Sequence, residues 1–227
     1  MSLIEFEQVT KSFGDYSPVL EEVDLSIGAG EFAFLTGVSG AGKTTVLKLI
    51  YGILKPDSGS ITYNFAMPKK RFRSLSRFRS NMGFIFQTPT LLENRSVEYN
   101  IALPLVIMKE KKRVIKEKTE AALEACAISG LRGKRVSMLS GGEKQLVSLA
   151  RCIISNPSII LADEPTANLD RKMALLLLNI LLKLNEEGTT IVISTHDLKL
   201  METYEGRIML VKDKQVNDYN LATINDV

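Results

Sequence analysis

The amino-acid sequence predicts an α/β fold, a parallel-sheet core with a helical subdomain inserted into it. Three observations predict this. The short, almost wholly apolar runs "EFAFLTG" (31–37), "SIILAD" (158–163) and "TIVIST" (190–195) read as strands buried on both faces. Between the last two lies a helix around 171–185, and strand, long helix, strand is a parallel crossover. From 92 to 156 the strand pattern gives way to helical segments.

Each element has its own signal. "LIEFEQV" and "EEVDLSI" alternate apolar and polar residues with period two, as half-buried strands do. After the strand at 31–36, "GKTTVLKLIYGI" carries Val46, Leu47, Leu49, Ile50 and Ile53 as a helical stripe. "KPDSGS" is a turn by its Pro, Asp and Gly content, and "SITYNF" is a strand. "MGFIFQ" is a strand ending at Gln87. "SVEYNIALPLVIM", "KKRVIKEKTEAALEACAISG" and "GGEKQLVSLARCIISN" are helical, the last over 141–156.

The 227 residues, 45% of them apolar and 24% charged, fit one domain over 1–227 with the subdomain at 92–156 inside it. Basic and acidic residues, 29 and 26, nearly balance, so global charge predicts no nucleic-acid partner. Cys126 and Cys152 lie in apolar helical patterns and read as buried, reduced thiols. The N-terminus reads as a strand and not as a signal peptide. The longest greasy stretch, "ALLLLNILLKL", is far shorter than the ~20 residues of a membrane-spanning helix, so a role at a membrane requires a partner. Of two basic runs, 109–118 reads as a solvated helix face. The run at 69–79 reads either that way or, with Phe72, Leu75 and Phe78 interleaved, as a surface for anionic lipid.

The chemistry concentrates in a few places. "GVSGAGKT", Gly37 to Thr44, satisfies G-x-x-x-x-G-K-[ST] between a strand and a helix. The glycines let backbone N–H groups turn toward phosphate oxygens, and the helix N-terminus adds partial positive charge. Lys43 is expected to reach the β and γ phosphates, and the Thr44 hydroxyl to bind Mg²⁺. "SIILADEP" delivers Asp163 and Glu164 to the C-terminal end of a buried strand, the edge where open α/β sheets bind ligands. Asp163 suits a Mg²⁺ site and Glu164 a general base acting on water. The lone histidine, His196, follows the strand 190–195 within reach of a γ phosphate. No histidine or cysteine cluster predicts a zinc site.

A second glycine turn, "LSGGEKQ" (139–145), opens a helix but has no lysine. Taken in order, "GVSGAGKT", Gln87, "LSGGE", "ILADE", "ANLD" (167–170) and His196 resemble the ATP-binding subunits of ABC transporters over nearly the whole chain. The resemblance implies a RecA-like P-loop core, an N-terminal antiparallel β-subdomain and ATP hydrolysis to ADP with Mg²⁺. It places Phe13 against adenine, where tyrosine is commoner, and counts Val19, Gly37, Ser39, Gly40, Ala41, Gly42, Lys43, Thr44 and Thr45 among the nucleotide-binding residues. Gln87 is similar to the loop residue that senses Mg²⁺ and water and faces the membrane partner. Asp170 resembles the aspartate that communicates between subunits.

Ser140, Gly141 and Gly142 are implied to face the γ phosphate held by a second copy, which makes the working unit an ATP-bound homodimer. "EFAFLTGVSGAGKTTVLKLIYGILKPDSG" is similar to the cell-division (FtsE) group, which stands near lipoprotein-releasing and macrolide-export ATPases. That likeness implies an integral membrane partner of FtsX type, a place on the cytoplasmic face of the inner membrane, and signalling to cell-wall hydrolases. The departures are Thr44 for the frequent serine, "ANLD" for "GNLD", and Leu146 where arginine is common. None removes a catalytic group. Alternatives are a lipoprotein-release or other export ATPase, and a soluble ATPase of cluster assembly.

Overall fold

The computed structural model describes residues 2–14, 17–65 and 78–220. Most of the basic run at 69–79 lies outside them. Two sheets organise the chain. The first is antiparallel, in the order β2-β1-β4, from β1 (Ser2–Lys11), β2 (Leu20–Gly28) and β4 (Ser58–Tyr63). This is the expected N-terminal β-subdomain. The turn read at 55–60 is shorter than expected: Ser58 already pairs with Thr10, across a register shift in β1.

The second sheet runs β5-β6-β7-β3-β8-β9. Its members are β3 (Phe32–Thr36), β5 (Met82–Ile85), β6 (Ile159–Asp163), β7 (Thr190–Ser194), β8 (Arg207–Lys212) and β9 (Gln215–Tyr219). All pairings are parallel except β8 with β9. The apolar runs alternate sides with period two. Phe32, Phe34, Ile160, Ala162, Ile191 and Ile193 face one core, whereas Ala33, Leu35, Ile159, Leu161 and Val192 face the other. Both faces are therefore covered, as a parallel sheet requires.

On the second face packs α1 (Lys43–Ile50), burying Val46, Leu47, Leu49 and Ile50 with the β-subdomain. The first face carries the helices between β5 and β6, α2 (Val97–Ile107), α3 (Lys112–Ala125) and α4 (Gly141–Ile153), together with α5 (Arg171–Glu186). A short α6 (Leu198–Thr203) follows β7. The helix expected to run to 156 stops at Ile153. Asn156 has left-handed backbone, φ +50°, and Pro157 cannot continue a helix.

Asn100 joins α2 to the loop after β5. Its side chain, fully buried, accepts from Leu92 N–H at 2.7 Å and donates to the carbonyls of Leu92 and Ser96. Cys126 and Cys152 are both free, and burial pushes each thiol up to about 12. Among the described residues no helix is long and apolar enough to cross a membrane.

Candidate functional site

The C-terminal ends of β3, β5, β6 and β7 meet at one sheet edge, because their registers run level. Leu35 and Asp163 both pair with Ser194, and Ile85 pairs with Ala162. Every chemistry-bearing strand end predicted from the sequence therefore arrives in one place.

Directly beyond β3 lies the glycine loop. Gly37 has φ +142°, and a Cβ there would stand 2.4 Å from the Val211 carbonyl oxygen. Gly42, φ +112°, caps α1, and a Cβ on it would meet the Val19 side chain at 2.9 Å. Those positions need glycine for both conformation and space. Ser39 and Gly40 are exposed, Ala41 and Thr44 half-buried, and Thr45 buried.

Lys43 is 7% exposed and donates from Nζ to the carbonyls of Gly37 (2.7 Å) and Val38 (3.0 Å). Among the described residues no carboxylate is within ion-pair reach of it. A buried ammonium satisfied only by neutral carbonyls is a strong anion receptor, because an isolated buried charge is costly. With the loop N–H groups and the α1 N-terminus beside it, the loop fits a triphosphate.

The acidic pair is held by five hydroxyl and backbone contacts. Thr44 Oγ1 donates to Asp163 at 2.8 Å (Oδ2) and 3.1 Å (Oδ1). Ser194 Oγ donates to Asp163 Oδ1 at 2.6 Å. Glu164 N–H donates to both the hydroxyl and the carbonyl of Ser194, at 3.0 and 3.1 Å. Glu164 itself has φ +43°, a left-handed conformation that costs a non-glycine residue about 1–2 kcal/mol. The Thr44 and Asp163 oxygens form an all-oxygen donor set, which suits Mg²⁺ and not a thiophilic metal.

Around the Glu164 carboxylate stand two further groups. His196 Nδ1 is 3.2 Å from Oε1, and Gln87 Nε2 is 3.5 Å from Oε2. Glu164 lies largely inside, whereas His196 and Gln87 are exposed toward the open side. The structure thus brings together Lys43, Thr44, Asp163, Glu164, Gln87 and His196.

A cleft of about 720 Å³ runs beside the loop, lined by Val19, Gly37, Gly40, Ala41 and His196 among others. Phe13 is exposed, with Lys11 Nζ 5.8 Å above its ring, and does not line this cleft. No residue of 139–142 lines it either. Ser140 instead caps α4. Its Oγ accepts from Glu143 N–H at 3.3 Å, and the Glu143 carboxylate accepts from Ser140 N–H at 2.8 Å. The Ser140 N–H, with the Ser140 hydroxyl beside it, holds the Glu143 carboxyl below the usual carboxylate range. Gly141 has open space where a Cβ would be, whereas Gly142 packs on Met173. Asp170 caps α5 by accepting from that same Met173 N–H, at 2.9 Å. The two turns, 139–142 and 167–170, are thus joined through Met173.

Two positions escaped the sequence reading. Gln145, 2% exposed, donates to the Phe86 carbonyl at 3.2 Å and ties α4 to the residue before Gln87. Ser194 was read only as part of a strand. A polar residue in the last position of an apolar strand, beside the Asp-Glu strand, was its available signal.

The chain is similar to known proteins over most of its length. The ABC transporter family profile matches residues 20–167. The chain is 35% identical over 220 residues to the cell division ATP-binding protein FtsE of Streptococcus pneumoniae, covering 95% of this chain and 94% of that one. It is 36% identical to FtsE of Escherichia coli K12, covering 93% and 96%. It is also 35% identical to the lipoprotein-releasing system protein LolD of Idiomarina loihiensis, covering 93% and 95%. Among solved structures, a dimeric post-hydrolysis state of the ATP-binding cassette MJ0796 with ADP and Pi superposes with TM-score 0.82 at 31% identity. It covers 96% of this chain and 98% of that one.

Proposed function

This chain belongs to the ABC transporter family, and from that premise we propose that it is an FtsE-like subunit driving an FtsX-type membrane protein. As an ATPase of this family it binds ATP and Mg²⁺. The reading is carried by the FtsE relatives, 33–36% identical over more than nine-tenths of the chain. In cell division such a subunit couples ATP-driven closure of a homodimer to control of cell-wall hydrolysis, from the cytoplasmic face of the inner membrane.

The residues divide the work. Lys43 and the N–H groups of 37–44 hold and orient the phosphates. Thr44 and Asp163 would hold Mg²⁺, which when bound would supply positive charge to neutralise the phosphate oxygens. Glu164 accepts the proton of the attacking water, and His196 and Gln87 orient that carboxylate and the water. Ser140 and Gly142 of a second copy complete the phosphate shell, and Phe13 and Val19 take the base side.

A groove of about 350 Å³ between β5 and α4 supports the membrane-partner reading. Phe84, Phe86, Pro104 and Ile107 make it apolar, and Arg79 and Arg151 make it basic. Arg79 Nε is buried with no partner among the described residues. An apolar segment of the membrane protein that carries a carboxylate would suit that lining.

The LolD likeness, equally broad, favours lipoprotein release as the second reading. Co-expression with an FtsX-type protein, followed by membrane fractionation and pull-down, tests the choice. Retention on membranes only with that protein is expected. Retention only with a lipoprotein-release permease overturns the cell-division reading, and a wholly soluble pool overturns both.

A further inference from the structure

We propose that Ser194 is a positioning residue of the ATPase site, a hydroxyl that fixes both acidic residues at once. The inference rests on the ATPase reading above and adds a residue to it. Ser194 is fully buried in the last position of β7 and is the register partner of Asp163 in β6. Its single hydroxyl proton goes to Asp163 Oδ1 at 2.6 Å. The oxygen's free lone pair accepts the N–H of Glu164 at 3.0 Å. One side chain therefore orients the carboxylate placed for Mg²⁺ and anchors the backbone of the residue placed as general base.

Its partners explain why the site needs such an anchor. Among the described residues the Asp163 carboxylate is otherwise held only by Thr44, whose hydroxyl would itself be a ligand for the metal. The Ser194 hydroxyl would keep Oδ1 in place if Thr44 were engaged by the ion. Glu164 has φ +43°, a conformation that persists only where its surroundings dictate it. The Ser194 hydroxyl is the side chain that does so, beside the Ser194 carbonyl at 3.1 Å.

Ser194→Ala is expected to fold. In Ser194→Ala the Glu164 N–H keeps the Ser194 carbonyl and Asp163 keeps Thr44, so no buried polar group is orphaned. The experiment compares wild type, Ser194→Ala and Ser194→Thr by steady-state ATPase assay, Mg²⁺ titration, calorimetric ATP affinity with and without Mg²⁺, and melting temperature. For Ser194→Ala we expect kcat down about tenfold and the half-saturating Mg²⁺ up about fivefold, with metal-free ATP affinity unchanged. Ser194→Thr, which restores the hydroxyl, should recover most of both losses. Unchanged kcat and Mg²⁺ dependence in Ser194→Ala overturn the proposal. So do equal losses in both variants that track a lowered melting temperature, because those mark a packing role. A wild type without Mg²⁺-dependent ATPase overturns the ATPase reading itself, a separate result.

Discussion

His196 Nδ1 lies 3.2 Å from Oε1 of Glu164, while the Gln87 amide approaches the other carboxylate oxygen at 3.5 Å. A carboxylate can only accept, so a hydrogen bond here requires the proton on Nδ1. Each oxygen of Glu164 thus has a polar neighbour, an arrangement that suits the general-base role proposed for it. Glu164→Gln keeps the shape and removes the proposed base. We expect kcat to fall by about 10²- to 10³-fold with ATP affinity retained. ATP should then trap a dimer on size exclusion. Turnover at the wild-type rate contradicts the base assignment.

Lys43 is the test of the phosphate loop. Its ammonium is buried against two carbonyls and has no carboxylate partner among the described residues. Charge-assisted hydrogen bonds contribute about 1.5–3 kcal/mol each. Lys43→Ala is therefore expected to weaken ATP binding by about 10- to 100-fold in calorimetry. Unchanged affinity refutes the role.

Gly83 is required for space and not for conformation. A Cβ on it would stand 1.9 Å from Cys152 Sγ, although its backbone is ordinary β5 strand. Gly83→Ala forces β5 and α4 apart at the groove, at a cost of about 1–3 kcal/mol. In the double variant Gly83→Ala/Cys152→Ala the sulfur is gone, and the nearest remaining atoms, Cys152 Cβ and Ile160 Cγ1, are each 3.4 Å away. Thermal melting should show the double variant more stable than Gly83→Ala alone. The reverse order rules out the steric account.

Legibility in the sequence followed local continuity. Lys43, Thr44, Asp163 and Glu164 could be read because each sits in a contiguous pattern, a glycine loop or an apolar strand ending in charge. Ser194 could not, because its meaning lies in register with Asp163, 31 residues away. The strands β8 and β9 went unread for another reason. Their hairpin turns at Asp213 and Lys214, both at positive φ, with no glycine to mark it. The end of α4 was misplaced because "CIISN" continues the apolar stripe, while Asn156 and Pro157 stop the backbone. Gly83 looks like an ordinary strand residue until Cys152 is placed beside it.

The turn at 139–142 invites a test in which stability and assembly move in opposite directions. Glu143 caps Ser140 N–H, and that bond depresses its carboxyl below the usual value of 4.5. A depressed folded-state value means its contribution is present above about pH 4.5 and is lost as pH falls through the lower folded value. At neutral pH the charge is thus locked on, beside the helix end proposed to meet the γ phosphate of a second copy. A carboxylate there supports α4 but repels the phosphate. Glu143→Gln keeps an oxygen for the cap and removes the charge. A charge at a helix N-terminus contributes about 0.3–1 kcal/mol. On the Glu164→Gln background, we therefore expect a slightly lower melting temperature and an ATP-trapped dimer about two- to fivefold tighter. Sedimentation equilibrium with ATP and Mg²⁺ measures the second quantity. A weaker dimer would mean that Glu143 supports the contact between copies, and that the turn does not approach a phosphate.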